Sequence, residues 1–286
     1  MTVIQIGLVD KTESVDPAFL EAAAAAFNLQ VMRDVPPFWN IQATVRYLPS
    51  ASKIPTGVWP VLLVKTLPQG EGGFHLDRHN QPYANVLAAP GSDGWTIAAS
   101  HEIIEMLVDP AGNRLQSSIS IEVNAQGKIQ DGNGQYEYLV EACDPCEADT
   151  YSYSIQGVAV SDFITPHFYD PIVTSGTRYS FTGALTKPRE ILPGGYISWI
   201  DPQAEEWQQL QYLDPNEPPS IANLGPADPN ARSLREWMHT RRGDPAGLRT
   251  TRDISARPMN NALLERCSAH RKTLDEIASR RSGLYR

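Results

Sequence analysis

A histidine and two glutamates lie within five consecutive residues, His101-Glu102-Ile103-Ile104-Glu105. Side chains four residues apart lie on the same face of an α-helix, about 6 Å apart along its axis. On a helix, His101 and Glu105 could therefore bind one metal ion at ligand distances of about 2.0–2.2 Å. In the His-Glu-x-x-His zinc motif, the residue after the first histidine is the general base, and Glu102 has that position here. The spacing predicts one zinc ion held by His101 and Glu105, with Glu102 as the base.

Glu105 stands where the usual motif has its second histidine, and the added negative charge is expected to weaken the ion as a Lewis acid. A helix with charged side chains is often only a solvated surface, but apolar residues surround this motif on nearly all sides,. Buried histidines and carboxylates need partners, which favours a metal site. The apolar neighbours are Trp95, Ile97, Ala98, Ile103, Ile104, Met106, Leu107 and Val108.

A third metal ligand is required, and the segment 141–147 is its expected source. Asp109 lies eight residues after His101, about 12 Å along the helix axis, so it is expected to cap the helix or to orient a neighbour. Glu141, Asp144 and Glu147 are spaced by three residues around a proline turn. Glu141 is the first choice for the third ligand and Asp144 the second. An acidic surface loop remains the alternative for this segment.

Other histidines and the cysteines carry weaker signals. His167, in TPHFYDP, is the best candidate for binding a substrate or stabilising an oxyanion,. His75 and His79 lie in GGFHLDRHN, interpreted as a loop before a strand, and each is expected to be a surface histidine,. Cys143 and Cys146 form one CxxC pair, which lacks the context of a redox motif. Three cysteines cannot form a disulfide framework, although a single bridge between Cys143 and Cys146 is left open,.

The elements that must position these residues alternate between strands and helices along the first 200 residues. A helix is predicted from Asp16-Pro17 to about residue 34, and the motif helix from an N-cap at Ser92 or Asp93 to Val108, before Asp109-Pro110,. A hairpin is predicted with its turn at 131–134,. Strands are predicted at 2–9, 42–49, 59–68, 83–90, 118–126 and 135–142, and one or two at 151–163.

The composition changes near residue 200. Six prolines lie within 201–230, which is typical of a linker or an extended arm,. Residues 231–286 contain 13 Lys and Arg against 6 Asp and Glu, a net charge of +7, whereas residues 1–230 have a net charge of −16. Short helices are predicted from a capping box at Ser233 and over 259–281, with apolar faces that need burial. Those faces contain Leu234, Trp237 and Met238, and Leu263, Leu274 and Ile277.

We therefore expect a domain at 1–200 and an arm at 201–286 that docks on the same or a neighbouring subunit. Truncation after Ile200 is expected to leave a folded, metal-binding domain. Nucleic acid ranks lower as a partner, because the acidic body would repel phosphates. The composition, 41% hydrophobic and 20% charged, predicts a folded core and excludes global disorder,.

No membrane partner is expected, because no run of eighteen apolar residues exists,. The N-terminal residues lack the features of a secretory signal,. The expected location is the cytoplasm or an assembled particle.

Several strings resemble a group of bacterial and phage zincin-like proteins whose active helix carries His-Glu-x-x-Glu. The resemblance covers about residues 25–200, and its most specific parts are the motif helix and the segment EACDPCE. It implies a zincin-like α/β (α+β) fold, a Zn²⁺ ion bound by His101 and Glu105, Glu102 as base, and Glu141 or Asp144 completing the shell. The matching strings are LQVMRDVPPFWNIQATV, PYANV, SHEIIEMLVDP, EACDPCE, GVAVSDFITP and GGYISW.

This resemblance implies zinc-dependent hydrolysis of a peptide bond in a cleft between a mixed twisted sheet and the motif helix. The strand at 82–88 is expected to form the upper rim, with a free edge that pairs with an extended peptide substrate. The chain departs from the commoner motif at Glu105 and has no downstream signature of a third ligand. The rival hypothesis is a structural or assembly protein, such as a particle component, that keeps the fold with a stabilising metal or none and self-associates through its arm.

Overall fold

The computed structural model describes residues 3–68, 70–228, 233–234 and 253–283 of the chain. Helices and β-sheets both contribute substantially, which confirms the predicted α/β class. In chain order the elements are β1 (Ile4–Asp10), α1 (Pro17–Leu29), α2 (Pro36–Trp39), β2 (Ala43–Tyr47), β3 (Val58–Val64), β4 (Gly73–Arg78), β5 (Gln81–Leu87), α3 (Trp95–Val108), β6 (Leu115–Val123), β7 (Ile129–Leu139), β8 (Tyr153–Ile155), β9 (Val158–Val160), β10 (Tyr196–Asp201), β11 (Glu206–Gln211), β12 (Ser220–Pro226) and α4 (Asn261–Gly283).

The first sheet has the order β2-β1-β3-β5-β4. Its first four strands in this order pair in parallel, and β4 pairs antiparallel with β5. Helix α1 connects β1 to β2 and begins as predicted, because the Asp16 carboxylate accepts hydrogen bonds from the backbone N–H groups of Ala18 and Phe19,. It continues as a π-helical turn at Gln30–Asp34.

The edge strand of the first sheet differs from the one expected. The predicted rim strand at 82–88 corresponds to β5, which pairs with β3 on one side and with β4 on the other. Its backbone edge is therefore already used, and the expectation that it receives a substrate strand is wrong. The segment interpreted as a loop before a strand forms β4 instead, and β4 is the edge strand in the part of the chain that the structure describes.

The second sheet is antiparallel, with the order β12-β11-β10-β7-β6. The predicted hairpin exists as β6 and β7, but its turn lies at residues 124–128, where the Asn124 N–H donates to the Lys128 carbonyl and Gly127 has a φ of +70°. The predicted turn at 131–134 lies within β7, opposite an irregularity in β6 between Ile119 and Ile121. The glycines there allow close approach to β6, since a Cβ on Gly132 would lie 2.6 Å from Ser120 Oγ. Residues 151–163 contain a pair of strands, β8 and β9.

Helix α3 lies between the two larger hydrophobic cores of the described residues. All fourteen of its residues are buried, as the apolar surroundings of the motif predicted. Ile103 and Met106 pack into the core under the first sheet, whereas Ile104 and Val108 pack into the core beside the second sheet. Charged side chains on this helix have no solvent to face, so their partners must come from the protein or from a bound ion.

The start of α3 differs in detail from its prediction. Its N-cap position is Gly94, and no side chain makes the capping hydrogen bond. Asp93, one of the two predicted N-caps, binds the C-terminal segment instead: its Oδ1 lies 2.8 Å from Arg257 Nε, and its Oδ2 accepts from the Asn260 N–H. Arg257, which is distant along the chain, thus competes with the N-terminus of α3 for the Asp93 carboxylate.

The expected domain boundary at residue 200 falls inside the second sheet. Strand β11 pairs along its whole length with β10, and β12 pairs with β11. Leu210 is fully buried in the second core. The five prolines of this segment that the structure describes do not prevent regular structure, because four lie in connections and Pro226 ends β12, an edge strand where proline is tolerated,. Residues 201–226 are therefore part of the folded body rather than an arm.

The helix predicted over 259–281 is confirmed as α4, which packs on α1 of the same chain. Leu263 is buried in the first core. Arg271 pairs with Glu21 at 2.5 Å, an ion pair between the basic C-terminal segment and the acidic part of the chain, as the charge distribution suggested. Leu274 and Ile277 remain about half exposed. The short helix predicted after Ser233, with Trp237 and Met238, lies outside the described residues.

Truncation after Ile200 is expected to produce an insoluble or unfolded protein, contrary to the expectation from sequence. The cut removes β11 and β12, which leaves β10 as an unpaired edge and exposes the core around Leu210,. Truncation after Asp228 is the matched control, because it keeps the second sheet complete. Circular dichroism and soluble yield measure the difference; a soluble, cooperatively melting 1–200 fragment would contradict this prediction.

No helix in the described ranges is long and apolar enough to cross a membrane.

Candidate metal centre

Three of the four predicted ligands meet at a buried point beside α3. His101 Nε2 lies 3.0 Å from Glu105 Oε1, as the four-residue spacing requires, and 3.2 Å from Asp144 Oδ1. Asp144 begins a short 3₁₀ turn, Asp144–Cys146, that follows β7. All three residues are at most 3% exposed. The helix and the acidic turn therefore converge, as the interpretation of the segment 141–147 proposed, and the surface-loop alternative does not describe this turn.

The acids of this segment differ in their distance from His101. Asp144 and Glu147 form a group with His101 whose ligand atoms all lie within 4.8 Å of one another, and Cys143 forms another with His101 and Glu105. Glu141, the first choice from sequence, belongs to none of the described groups of this kind. Its Oε2 is nevertheless buried without a hydrogen-bond partner among the described residues. Of the two candidates for a third ligand, Asp144 is thus the better placed.

His75 joins the same cluster from the first sheet, although it was expected to be a surface histidine. It lies on β4 and is only 5% exposed. Its Nδ1 lies 3.4 Å from Glu102 Oε2 and 3.8 Å from Glu105 Oε2, and these three residues form a third group of potential ligands. His79, at the turn between β4 and β5, is exposed as expected.

Glu102, the predicted base, lies next to the edge strand and is fully buried. A Cβ added at Gly73, the first residue of β4, would lie 2.7 Å from Glu102 Oε1. A glycine at this position therefore lets the Glu102 carboxylate approach the backbone of β4. The close approach brings Glu102 to His75 on the same strand.

Asp109 supports the cluster rather than forming part of its ligand groups. Its carboxylate Oδ2 accepts a hydrogen bond from the Arg114 N–H at 2.8 Å, just beyond the end of α3. Its backbone carbonyl lies 3.0 Å from His75 Nε2, and a carbonyl can only accept, so this ring nitrogen carries the proton,. Asp109 thus binds the chain after the helix and orients a neighbour, as expected from its distance to His101.

The cluster contains more acidic than basic groups. Burial alone would lower the pKa of His75, but the hydrogen bond to Glu102 and the charges of Glu141, Glu102 and Glu105 raise it to about 10. Burial and the charge of Glu105 raise the pKa of Asp144 to about 7, against the opposing effect of His101.

The pKa values of two further carboxyls, Glu141 and Glu105, shift in opposite directions. Burial and the nearby Glu105 charge hold the pKa of Glu141 well above its usual value. Burial also favours the neutral form of Glu105, but His101 and His75 outweigh it and lower its pKa. Without a bound cation, the cluster must neutralise its excess carboxylates with protons.

His167 lies apart from the cluster in the described structure. It is in the 3₁₀ turn Pro166–Tyr169, its side chain is 56% exposed, and its Nδ1 lies 2.8 Å from Asp170 Oδ2. The structure therefore offers no contact for the role in substrate binding or oxyanion stabilisation that the sequence suggested. The neighbouring Tyr169 points inward instead: burial, and next the charge of Glu141, raise its pKa well above the usual value.

Cys143 and Cys146 are both free and buried, so the open question of a bridge between them is answered for this structure. Burial raises the pKa of both thiols well above the usual value, which disfavours the reactive thiolate,. The Cys143 N–H donates to Glu105 Oε1 at 3.0 Å, and its Sγ lies 3.7 Å from the His101 carbonyl. Cys143 thus orients Glu105 through its backbone.

Comparisons with known proteins identify no relative. No family model, no curated protein and no solved structure matches this chain. Functional conclusions therefore depend on the geometry of the cluster itself.

Sequence reasoning missed His75, and the reason is its distance from the motif along the chain. His75 precedes His101 by 26 residues and reaches the cluster only because β4 pairs antiparallel at the edge of the sheet beside α3. One weak signal was available in the sequence. Apolar Phe74 and Leu76 alternate with more polar residues in GFHLDR, a strand pattern that places Gly73 and His75 on the same face,.

Proposed function

We propose that this chain binds a divalent metal ion, expected to be zinc, through His101, Glu105 and Asp144, and that the ion stabilises the contact between its two halves. The observation that carries the proposal is the burial of this histidine–carboxylate cluster between the two cores, with none of the three residues more than 3% exposed. Structural zinc sites are closed by four protein ligands, whereas catalytic sites have three and keep an open position. Cys143 or Glu147, each of which forms a group with His101, would supply the fourth ligand.

The residues present fit such an ion. Asp144 Oδ1 is buried 3.2 Å from His101 Nε2 but has no partner with hydrogen-bond geometry in the described residues. Carboxylate and imidazole are both ligands that zinc accepts. A bound zinc ion would supply positive charge to the acidic cluster and, in a catalytic site, polarise a substrate carbonyl. The surrounding protein already orients Glu105, through the Cys143 N–H.

Hydrolysis of a peptide bond is the second candidate, and the position of Glu102 favours it. Glu102 follows His101 directly and points its carboxylate toward β4, where it lies beside His75. In that role Glu102 would accept a proton from the attacking water and pass it to the leaving amine. The resemblance to zincin-like metallopeptidases supports this candidate, and its substrate would be a peptide or an unfolded protein.

An assembly role is compatible with the structural candidate. The outward Leu274 and Ile277 of α4 are about half exposed, which supports self-association through the C-terminal part of the chain,. A component of a cytoplasmic complex or of a particle would use such contacts. We propose self-association through this part of α4 only in combination with the structural metal.

Elemental analysis and thermal melting test the proposal. Purified protein is expected to contain at least one equivalent of divalent metal, and chelation is expected to lower the melting temperature by about 10 °C if the ion contributes about 4 kcal/mol. Unfolded casein is then incubated with the loaded and the chelated protein. Metal without turnover supports the structural role, whereas chelator-sensitive cleavage supports hydrolysis. A protein that binds no metal after reconstitution and melts unchanged with chelator would contradict both.

A further inference from the structure

His75 is oriented in the way that metal-binding histidines are. Its Nε2 donates to the backbone carbonyl of Asp109 at 3.0 Å, and this bond fixes the ring on β4. The other ring nitrogen, Nδ1, then faces the two glutamates of α3. Histidines that bind metals commonly donate their second N–H to a backbone carbonyl or a carboxylate, which fixes the tautomer and the ring orientation.

The distances around Nδ1 also suit a shared ion. Nδ1 lies 3.4 Å from Glu102 Oε2 and 3.8 Å from Glu105 Oε2. Ligand atoms about 2.0–2.1 Å from a tetrahedral ion are separated by about 3.3 Å. All three side chains are at most 5% exposed, so the group is not a solvated surface ion pair.

Glu105 connects this group to the His101 cluster through its two different oxygens. Oε1 lies 3.0 Å from His101 Nε2, and Oε2 faces His75. A carboxylate whose two oxygens face two separate imidazoles has the arrangement of a bridging ligand. Two-ion centres in proteins commonly hold their ions about 3.5–4 Å apart.

We propose that His75 Nδ1, Glu102 Oε2 and Glu105 Oε2 bind a second divalent cation, so that the protein holds a two-ion centre bridged by Glu105. One imidazole and two carboxylates suit Zn²⁺, Mn²⁺ or Fe²⁺. A second cation would also compensate the remaining acidic excess of the cluster. The inference rests on the proposed ion at His101, but it does not require hydrolysis. Glu102 would bind through Oε2.

Metal stoichiometry of the full chain tests this centre. The protein is stripped of metal, reconstituted with Zn²⁺ or Mn²⁺, and measured by equilibrium dialysis with elemental analysis. We expect two equivalents at saturation. With Mn²⁺, electron paramagnetic resonance is expected to show spin coupling between two neighbouring ions, a measurement that needs no variant.

Variants then assign the two positions. His75→Ala and His101→Ala are each expected to retain one equivalent, and the spin coupling is expected to disappear in both. His79→Ala is the matched control, because it removes an exposed histidine in the turn just after the same strand; this variant should retain two equivalents. His75→Gln serves as a second variant, since its amide can still donate to the Asp109 carbonyl.

The outcomes separate the two proposals. One equivalent in the wild-type protein, lost in His101→Ala and kept in His75→Ala, overturns the second ion and leaves the first. No bound metal at all overturns both. Two equivalents in a folded His75→Ala protein place the second ion elsewhere and overturn this inference. If the variants fail to fold, wild-type stoichiometry and spin coupling decide, and a single uncoupled ion contradicts the two-ion centre.

Discussion

Replacement of Glu105 by alanine is expected to abolish all stoichiometric metal binding. Glu105 contacts His101 through one oxygen and faces His75 through the other, so both proposed ions depend on it. The change also leaves the buried Cys143 N–H without its acceptor, which costs about 1–3 kcal/mol even in the metal-free protein,. Elemental analysis measures the loss of metal, and thermal melting measures the loss of stability. Glu105→Gln separates the loss of metal from the loss of stability, because its amide oxygen can still accept a hydrogen bond from the Cys143 N–H.

Asp109→Ala is the matched control for this change. It removes a buried carboxylate at the end of the same helix, but that carboxylate accepts its hydrogen bond from the Arg114 N–H. The Asp109 carbonyl that orients His75 belongs to the backbone and remains in the variant. The variant is expected to retain its metal. If it loses the metal while its fold is intact, Asp109 binds or organises the ion directly, and the assignment from helical spacing is wrong.

Replacement of Glu102 by glutamine is expected to remove hydrolysis without removing the ion at His101. The Glu102 carboxylate is the proposed proton acceptor, and an amide cannot accept the proton of water, so turnover should fall by at least about 10²-fold. Cleavage of unfolded casein, compared at equal metal content, measures the effect. Under the two-ion proposal, the same variant loses one of two equivalents, because Glu102 Oε2 lies 3.4 Å from His75 Nδ1.

Glu217→Gln, in an exposed loop, is the control for glutamate replacement in general. It should keep both the activity and the metal of the wild-type protein. Near wild-type activity in Glu102→Gln would mean that another group accepts the proton or that a contaminant cleaves casein. Absence of activity in every preparation, with metal bound, would support the structural role instead.

The parts predicted correctly depend on short stretches of chain. Helix α3 and its burial follow from apolar residues on all sides of the motif, and the contact of His101 with Glu105 follows from helical geometry. The early strands and α1 follow from periodicity and from a capping aspartate. Prediction of the acidic turn required one further argument, that buried acids need partners. Asp144 in this turn lies beside His101.

The predictions that are wrong concern segments that pair with, or are bound by, residues distant along the chain. The hairpin turn lies at 124–128 rather than at 131–134, because the glycines in β7 serve a close approach to β6. The expected arm is partly a pair of strands, since β10 provides an edge for β11 that no local composition reveals. Asp93 binds Arg257 rather than capping α3.

The sequence by itself determined the identity of two neighbouring side chains of types that can bind a metal, their common helical face and the apolar shell around them. Only the tertiary structure decided which acid meets His101, that His75 joins the cluster, and that β4 rather than β5 is the free edge. The physical reason is the range of the interactions. Helical spacing and burial preference act over a few residues, whereas strand order and register bring together groups that are 26 to 43 residues apart, such as His75 and Asp144 on either side of His101.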